Sequence, residues 1–407
     1  NNAELAEGTI YELEGGKAYY FATNPTLCKG FTMRTRAEDL AKGLRAKIYL
    51  GGMSLNPDGS AASCNFMFGR PPQAGESDAP INVKSLVFEG IDFDCPLATN
   101  FGDGKATGNY FANMYSNGMA VTFSSFEVRN CTFQRMIRGF IRVQGSKRKI
   151  FENMLIEDCL FYNCGYYDNS GRGYAWFAGD GKDPKSNIYK NLVVRNNTFY
   201  DSPRTCMFTD GGKNLKWPSS VQYNITLENN TFVNFSTRSK GRKIFDLRYL
   251  PSGSKIVVKK NLFIQTAQEG DDRGLYFEGM DIRQINGDSK EVTFDIADNY
   301  SSSSDGAKQV DDKIFTSAAF SAKKNSAGAF LKYTPGVING ADALVVKVGE
   351  NPISPTELMK NPNPPHKSGD KDMHEIDNLD GLYFNNTEKV HNHEIYTKGI
   401  GDPRWRQ

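Results

Sequence analysis

The 407-residue chain carries 49 Lys and Arg against 47 Asp and Glu, a formal net charge of +2. That balance excludes a bulk polycation for nucleic acid and an acidic disordered chain. Only 39% of residues are hydrophobic, yet 27 Phe and 19 Tyr can fill a narrow core behind a polar surface, and a chain this long needs several domains or a stacked repeat.

The first residues, NNAELAEG, carry neither a basic n-region nor an apolar h-region, so no targeting segment is visible. No stretch approaches the ~18 apolar residues of a membrane-spanning helix. Next come four short strand patterns, GTIYELEGGKAYYFA (8–22), LCKGFTMRT (27–35), AKIYLGG (46–52) and FMFG (66–69), with helical patterning only around RAEDLAKGL (36–44).

From residue 88 the chain repeats itself. FEGIDF (88–93), VRNCTF (128–133), IEDCLF (156–161), VRNNTF (194–199), LENNTF (227–232) and VKKNLF (258–263) share the pattern apolar-x-x-[Asn/Cys]-x-Phe, and a degenerate IADNYS follows at 296–301. Apolar residues at positions 1 and 6 cannot share one face of a straight strand. A bend near position 4 reconciles them, and Asn tolerates such a bend.

Stacking the repeats puts Ile91, Cys131, Cys159, Asn197, Asn230, Asn261 and Asn299 in one column and Phe93, Phe133, Phe161, Phe199, Phe232 and Phe263 in another. Such ladders are what a coil of parallel strands buries against its neighbours. Leucine-rich repeats would need a leucine scaffold of constant short period, and propeller blades would need regular hairpins; both are missing. The fold expected is all-β, a right-handed parallel β-helix, a single-stranded solenoid, over residues 1–305. Residues 306–407 are expected to hold terminal coils and an irregular C-terminal arm packed on it. Loops are expected at 97–120, 165–188, 210–221 and 264–273, and Trp405 is placed to dock the tail back onto the body.

A second set of strands follows each Phe and opens with arginine: RGFIRVQ (138–144), RGYAWFA (172–178), RTCMFTD (204–210), RKIFDLR (242–248) and RGLYFEG (273–279). Alternation assigns Ile141, Ala175, Met207, Phe245 and Tyr276 inward. It turns Phe140, Arg142, Gln144, Tyr174, Trp176, Cys206, Phe208, Asp210, Ile244, Asp246, Arg248, Leu275 and Phe277 outward. Two readings stay open. The stripe is a groove for a sugar polymer, with rings stacking on pyranoses and arginines engaging carboxylates or sulfates. Otherwise loops 97–120 and 165–188 cover it, and the leading arginines Arg138, Arg172, Arg204, Arg242 and Arg273 pair with carboxylates at a coil corner.

The seven cysteines, an odd number without CxxC pairs, argue against a disulfide framework and a zinc ribbon. The Asn-x-Ser/Thr triplets fall mostly inside the repeat and read as structural. All four histidines lie in the C-terminal arm, so a Ser-His-Asp triad or a His-centred zinc site in the groove is not expected. His391-x-His393 is at most a weak metal pair. An inverting glycosidase needs converging carboxylates; Asp210 and Asp246 lie one rung apart at different strand positions, and Asp271-Asp272 reads as a solvated turn. Esterase chemistry has only a loose echo in Gln144, Asp210, Asp246 and Arg248. A β-eliminating lyase needs a cation against the uronate carboxylate and a Lys or Arg base. Candidate bases are Arg142 and Arg248, and Asp180, Asp210 and Asp246 are candidate Ca²⁺ ligands.

The V-x-N-N-T-F ladder, the opening Y-x-L-x-x-G-K-A-Y-Y and the terminal G-D-P-R-W together resemble the pectate-lyase-like β-helix lipoproteins of Bacteroidetes. The resemblance covers nearly the whole chain. It implies a polysaccharide-utilisation protein at the bacterial outer-membrane surface, or a secreted or periplasmic one, working beside a SusC/SusD-type importer. It transfers no catalytic residues. The expected function is recognition of an anionic, uronic-acid-containing polysaccharide through Arg142, Tyr174, Trp176, Phe208, Asp210, Asp246 and Arg248. The alternatives are a lyase on pectin, alginate or a glycosaminoglycan, and a purely structural β-helix.

Overall fold

The computed structural model describes residues 6–21, 23–50, 65–95, 110–115, 117–136, 139–142, 147–162, 164, 175–178, 187–202, 206–209, 222–235, 243–246, 249–251, 253–266, 278–281, 284–286, 291–303, 332–333, 346–347, 353–362 and 379–406. Two units divide the chain, residues 1–192 and residues 193–370 with 374–407. The strand Asn187–Arg195 begins in the first and ends in the second.

In the first unit successive strands feed three parallel sheets in rotation. The first sheet runs Thr9–Leu13, Phe31–Thr35, Ile81–Glu89, Val121–Arg129, Lys149–Glu157. The second runs Ala18–Tyr20, Ala46–Tyr49, Ile91–Asp94, Thr132–Gln134, Leu160–Tyr162. The third runs Thr26–Leu27, Phe66–Phe68, Ala112–Met114, extended by bridges from Ala112 to Ile141 and from Ile141 to Phe177. One strand from each sheet makes one coil, so the fold is a parallel β-helix. The expected helix is a single turn, Ala37–Leu40, inserted in the second coil.

Phenylalanine fills this unit. Phe93, Phe133 and Phe161 stack at 4.9 and 4.8 Å, and Phe123, Phe151 and Tyr189 at 5.2 and 5.1 Å. Burying such a ring contributes about 1.5–3 kcal/mol, and stacking in register adds a further ~0.5–1.5. Long strands of the first sheet turn two consecutive residues outward in mid-strand, Lys84–Ser85 and Ser124–Ser125. Asn153 and Asn191 cover the bend from outside, each donating to a carbonyl of the coil below, Ser124 and Glu152, at 2.9 Å.

The second unit repeats the plan. Asn224–Glu228, Ser254–Lys259, Glu291–Ala297 and Lys332–Tyr333 are parallel neighbours in its first sheet. Thr198–Ser202, Thr231–Phe235, Leu262–Gln265, Asn299–Ser303 and Val346–Lys347 form the second. Cys206–Thr209, Lys243–Asp246 and Glu278–Asp281 form the third.

Here the Asn ladder is built as the repeat implies. The backbone N–H and Nδ2 of Asn197 both donate to Asn230 Oδ1 at 3.0 Å, and those of Asn230 to Asn261 Oδ1 at 3.0 Å. Asn261 does the same to Asn299 at 3.0 and 2.9 Å. All four are fully buried. The bend falls one position earlier than expected, before the ladder residue. Asn130, Asp158, Asn196, Asn229, Lys260 and Asp298 have φ of 48–55°, and Gly90 has 67°. Asn and Asp tolerate this left-handed region best among side-chain-bearing residues, so the double Asn of VRNNTF and LENNTF divides the labour: one bends, the next ladders.

The C-terminal segment docks on the second unit's second sheet. Trp405 Nε1 donates to Thr198 Oγ1 at 2.6 Å, and that hydroxyl donates to Asp402 Oδ2 at 2.7 Å. Asp402 N donates to Thr231 Oγ1 and Gly401 N to the Lys260 carbonyl. Burial pushes the Asp402 carboxyl above its ordinary range, against the pull of Arg404. The G-D-P-R-W terminus is therefore a clasp on the threonine positions of the repeat. Among the described residues no helix is long and apolar enough to cross a membrane.

Candidate functional site

The third sheet follows the second across a corner of each coil, and the corner decides which side chains reach solvent. Phe111 and Ala112, Phe140 and Ile141, Trp176 and Phe177, Met207 and Phe208 are consecutive pairs, and both members of each are buried. Alternation cannot run through such a corner. Phe140, expected outward, stacks on Phe111 at 4.8 Å and meets Phe133 and Phe161 edge-on. Trp176, expected to stack on a sugar, packs on the core ring of Phe161 at 5.0 Å with no exposed surface.

Phe208 is corrected in the same way. It is buried against Tyr223 at 5.6 Å. Aligning the strands on their leading arginines sets Phe208 beside Asp246, but the ladder pairs Phe208 with Phe245 and Thr209 with Asp246. A slip of one residue exchanges the two faces of a strand. Asp246 keeps its place in the sheet, with Asp281 as its neighbour on the other side. Tyr174, Asp180, Asp210 and Arg248 lie outside the described residues.

Arg142 remains, and it gathers partners the sequence did not single out. It leaves the corner one residue after buried Ile141, its N–H donating to the Ala112 carbonyl at 3.0 Å. The half-buried guanidinium lies over the ring of Tyr110, 5.6 Å from its centroid. Asn113 stands beside it on the neighbouring rung, its side chain folded back to accept from Met114 N at 2.8 Å. The chain then returns to the first sheet through Lys147, Arg148 and Lys149. Lys147 pairs with Asp78 at 2.6 Å near the surface.

Lys149 is different. It occupies the column of Val121 and faces the interior, fully buried, with its amine 3.4 Å from the thioether of Met114. Burial first, and then the field of Arg142, hold its pKa down to about 7. Of the four cations within residues 142–149, Arg142 and Lys149 act on one another, and Lys149 is discharged near neutrality by the dry core and by Arg142. The sequence signal was the run KRK, which reads as a solvated loop until the register places Lys149 inward.

A second row was also missed. The residue after each second-sheet core residue points outward, giving Tyr20, Tyr49, Asp94, Gln134 and Tyr162 in register. Asp94 is buried and receives Arg135 Nε at 2.9 Å and Nη2 at 2.5 Å, and Gln134 Nε2 at 2.6 Å. Arg135 itself is held at φ 60°. Burial, with Asp94 next, raises the Tyr162 phenol above its ordinary range. These groups saturate one another, so the middle of the row is a structural ion pair; Tyr20 and Tyr49, stacked at 4.9 Å, continue it toward solvent.

Among the described residues no group of three or more His, Cys, Asp and Glu side chains is placed to hold a metal ion. His393 is committed to helix capping, its Nδ1 accepting from Ile395 N at 3.2 Å, and His391 packs on Tyr396. Cys28, Cys95, Cys131, Cys159 and Cys164 are buried thiols that form no disulfide among the described residues. Burial drives the Cys95 and Cys164 thiols well above their usual range, which leaves them inert as nucleophiles.

A family model described as a right handed beta helix region matches residues 74–282, about half of the chain, and the chain belongs to that family. No curated protein and no solved structure matches it.

Proposed function

From a right-handed β-helix whose fourth and fifth coils concentrate cations at one corner, we propose that the chain recognises an anionic, uronic-acid-containing polysaccharide at a cell surface. The observation that carries this is Arg142 laid on the Tyr110 ring, close enough to Lys149 for its field to help hold that amine down to about 7. A planar guanidinium braced on a buried aromatic ring offers carboxylates a charged fork held in one orientation. Parallel coils repeat every ~4.8 Å, so a linear polymer lying along the outer face meets several rungs. Importer components of the SusC/SusD type are the partners this reading implies.

Affinity electrophoresis against pectins, alginate and glycosaminoglycans tests it. Retardation of the wild type is expected, with Arg142→Ala weakening binding about tenfold, ~1.4 kcal/mol. Arg142→Lys should recover only part of the loss, because the ammonium keeps the charge and loses the fork. Equal mobility on every polyanion, with and without Arg142, would end the reading.

A β-eliminating lyase is the second reading, and Lys149 is the observation that favours it. An amine with a pKa near 7 holds a free electron pair at neutral pH, and Arg142 is placed to neutralise a uronate carboxylate. The amine would take the proton α to that carboxylate, the electron pair would form the ring double bond, and the glycosidic oxygen would leave. Lys149 faces inward, so this route requires the corner to admit substrate. Rising ultraviolet absorbance from an unsaturated uronate, lost in Lys149→Met, would establish it; retardation without absorbance assigns a binding protein.

A further inference from the structure

We propose a second ligand site, a sugar-binding pocket at the first coil, separate from the Arg142 corner. The strands Thr9–Leu13, Ala18–Tyr20 and Thr26–Leu27 are each paired on one side only among the described residues. Beside them lies a cavity of about 780 Å³ lined by Tyr11, Tyr20, Phe21, Phe66, Arg70 and Tyr115 among others. Ligand pockets for small molecules fall in the range of ~300–1,000 Å³.

The aromatic wall is held in place from behind. Tyr11 meets Phe31 edge-on at 5.5 Å, and Phe21 meets Phe66 at 5.3 Å. Tyr20 stacks on Tyr49 with planes 10° apart and remains 49% exposed, so the ring face turned away from Tyr49 is presented at the coil end. The polar part of the lining, Arg70 and Gln73, is equally fixed. Arg70 reaches Glu76 through Nη1 at 2.7 Å and Nη2 at 2.6 Å, and its Nη1 also reaches the Pro71 carbonyl at 3.1 Å. Gln73 N donates to the same carboxylate at 2.8 Å. The hydrogen bond from Arg70, helped by Gln73, holds the Glu76 carboxyl at about 2, so the loop stays locked across the physiological range.

Rings together with a pinned guanidinium and with amide and hydroxyl groups in one lining select the class of occupant. A wholly apolar ligand would strip water from Arg70 and Gln73 without replacing it. A sugar satisfies both kinds of group, its C–H face on the tyrosines and its hydroxyls on the loop. The choice of a sugar over another amphipathic molecule rests on the glycan reading above.

Calorimetric titration with tetrasaccharides of pectin, alginate and chondroitin separates the two sites. The wild type should bind one of them at two sites, and Tyr20→Ala and Tyr115→Ala should each weaken one site about tenfold and spare the other. Arg142→Ala should do the reverse, and Tyr20→Phe, which keeps the ring, should bind as the wild type does. Tyr20 is exposed, so unchanged thermal unfolding of Tyr20→Ala is the control for fold. Wild-type binding that Arg142→Ala lowers and neither tyrosine variant alters would overturn the pocket alone. Absence of binding by the wild type would remove the glycan reading and the sugar pocket with it. A dimer in light scattering that Tyr20→Ala dissociates would assign the cavity to a second copy of the chain and overturn the proposal too.

Discussion

Asn230→Ala tests the ladder at its centre. The side chain takes part in four hydrogen bonds: its Oδ1 accepts from Asn197 N and Nδ2 at 3.0 Å, and its Nδ2 donates to the Val194 carbonyl at 2.9 Å and to Asn261 Oδ1 at 3.0 Å. Alanine removes all four and seals the vacated site away from water, since Asn230 has no exposed surface. The buried Asn197 N–H and Val194 carbonyl lose these partners at ~1–3 kcal/mol each, so the expected loss is about 4 kcal/mol. Urea unfolding reads it directly. With a slope of ~2–3 kcal/mol/M the midpoint should fall by about 1.5 M at unchanged slope. Asn153→Ala is the control: its hydrogen bonds, to the Ser124 carbonyl at 2.9 Å and from Asn191 Nδ2 at 3.2 Å, are both exposed, and their removal should cost about 1 kcal/mol or less. A midpoint for Asn230→Ala within ~0.3 M of the wild type would refute the reasoning, because the ladder would then be neutral against hydration of the unfolded chain.

Trp405→Phe removes the hydrogen bond to Thr198 and should cost about 1–2 kcal/mol; Trp405→Ala also empties a buried site, at ~3–5 kcal/mol, and limited proteolysis should then release the C-terminal segment first. Asp94→Ala strands Arg135, which is 5% exposed at its side chain, and should cost about 3–5 kcal/mol in urea unfolding. Lys149 titrates near 7 in the folded chain against an ordinary 10.5, so between those values the unfolded chain binds more protons and wild-type stability rises with pH. Lys149→Met should therefore be more stable than the wild type by about 4 kcal/mol at pH 7 and by only ~1 at pH 10; a gap that does not narrow with pH would show that Lys149 is not buried.

Much of the fold was legible because its rungs are chemically alike. Six Phe in one column and a run of Asn and Cys in another identify the coil from the order of residues alone, since each position recurs with the environment that requires it. What failed was parity where the chain turns. The pattern R-x-x-x reads as one strand, but its first residues lie in a corner, where Phe140 and Ile141 both go inward. Arg142 was found because a charged residue beside a buried strand position is informative on its own. Trp176 and Phe208 were misplaced because an aromatic residue fits a core and a sugar platform equally well. Lys149 was invisible for the opposite reason: a lysine in a basic run is read as solvated unless the register, here Val121 beside Lys149, places it inside. The first-coil pocket joins residues from 11 to 115, a grouping that no local pattern contains.

The ladder changes chemistry along the chain, and that change bears on where function can sit. At the rungs of Cys131 and Cys159 the same geometry is kept by sulfur: Cys131 N donates to Cys159 Sγ at 3.4 Å, and that thiol points at the Val128 carbonyl at 3.5 Å. Val128 stands three residues before Cys131, as Val194 stands three before Asn197, so the thiol takes the donor role of the Asn amide through a weaker bond. The first unit therefore draws less from its ladder and more from its rings, Phe111 on Phe140 at 4.8 Å and Phe133 on Phe161 at 4.8 Å. Ring stacks are not directional in the way amide ladders are. They tolerate a buried Lys149 and an inserted helix. The second unit, tied by Asn197 through Asn299 and clasped by Asp402 and Trp405, has its outer threonines occupied by its own C-terminal segment. Both candidate sites accordingly lie in the first unit, where the scaffold is held by apolar contact and the polar groups remain available for a ligand.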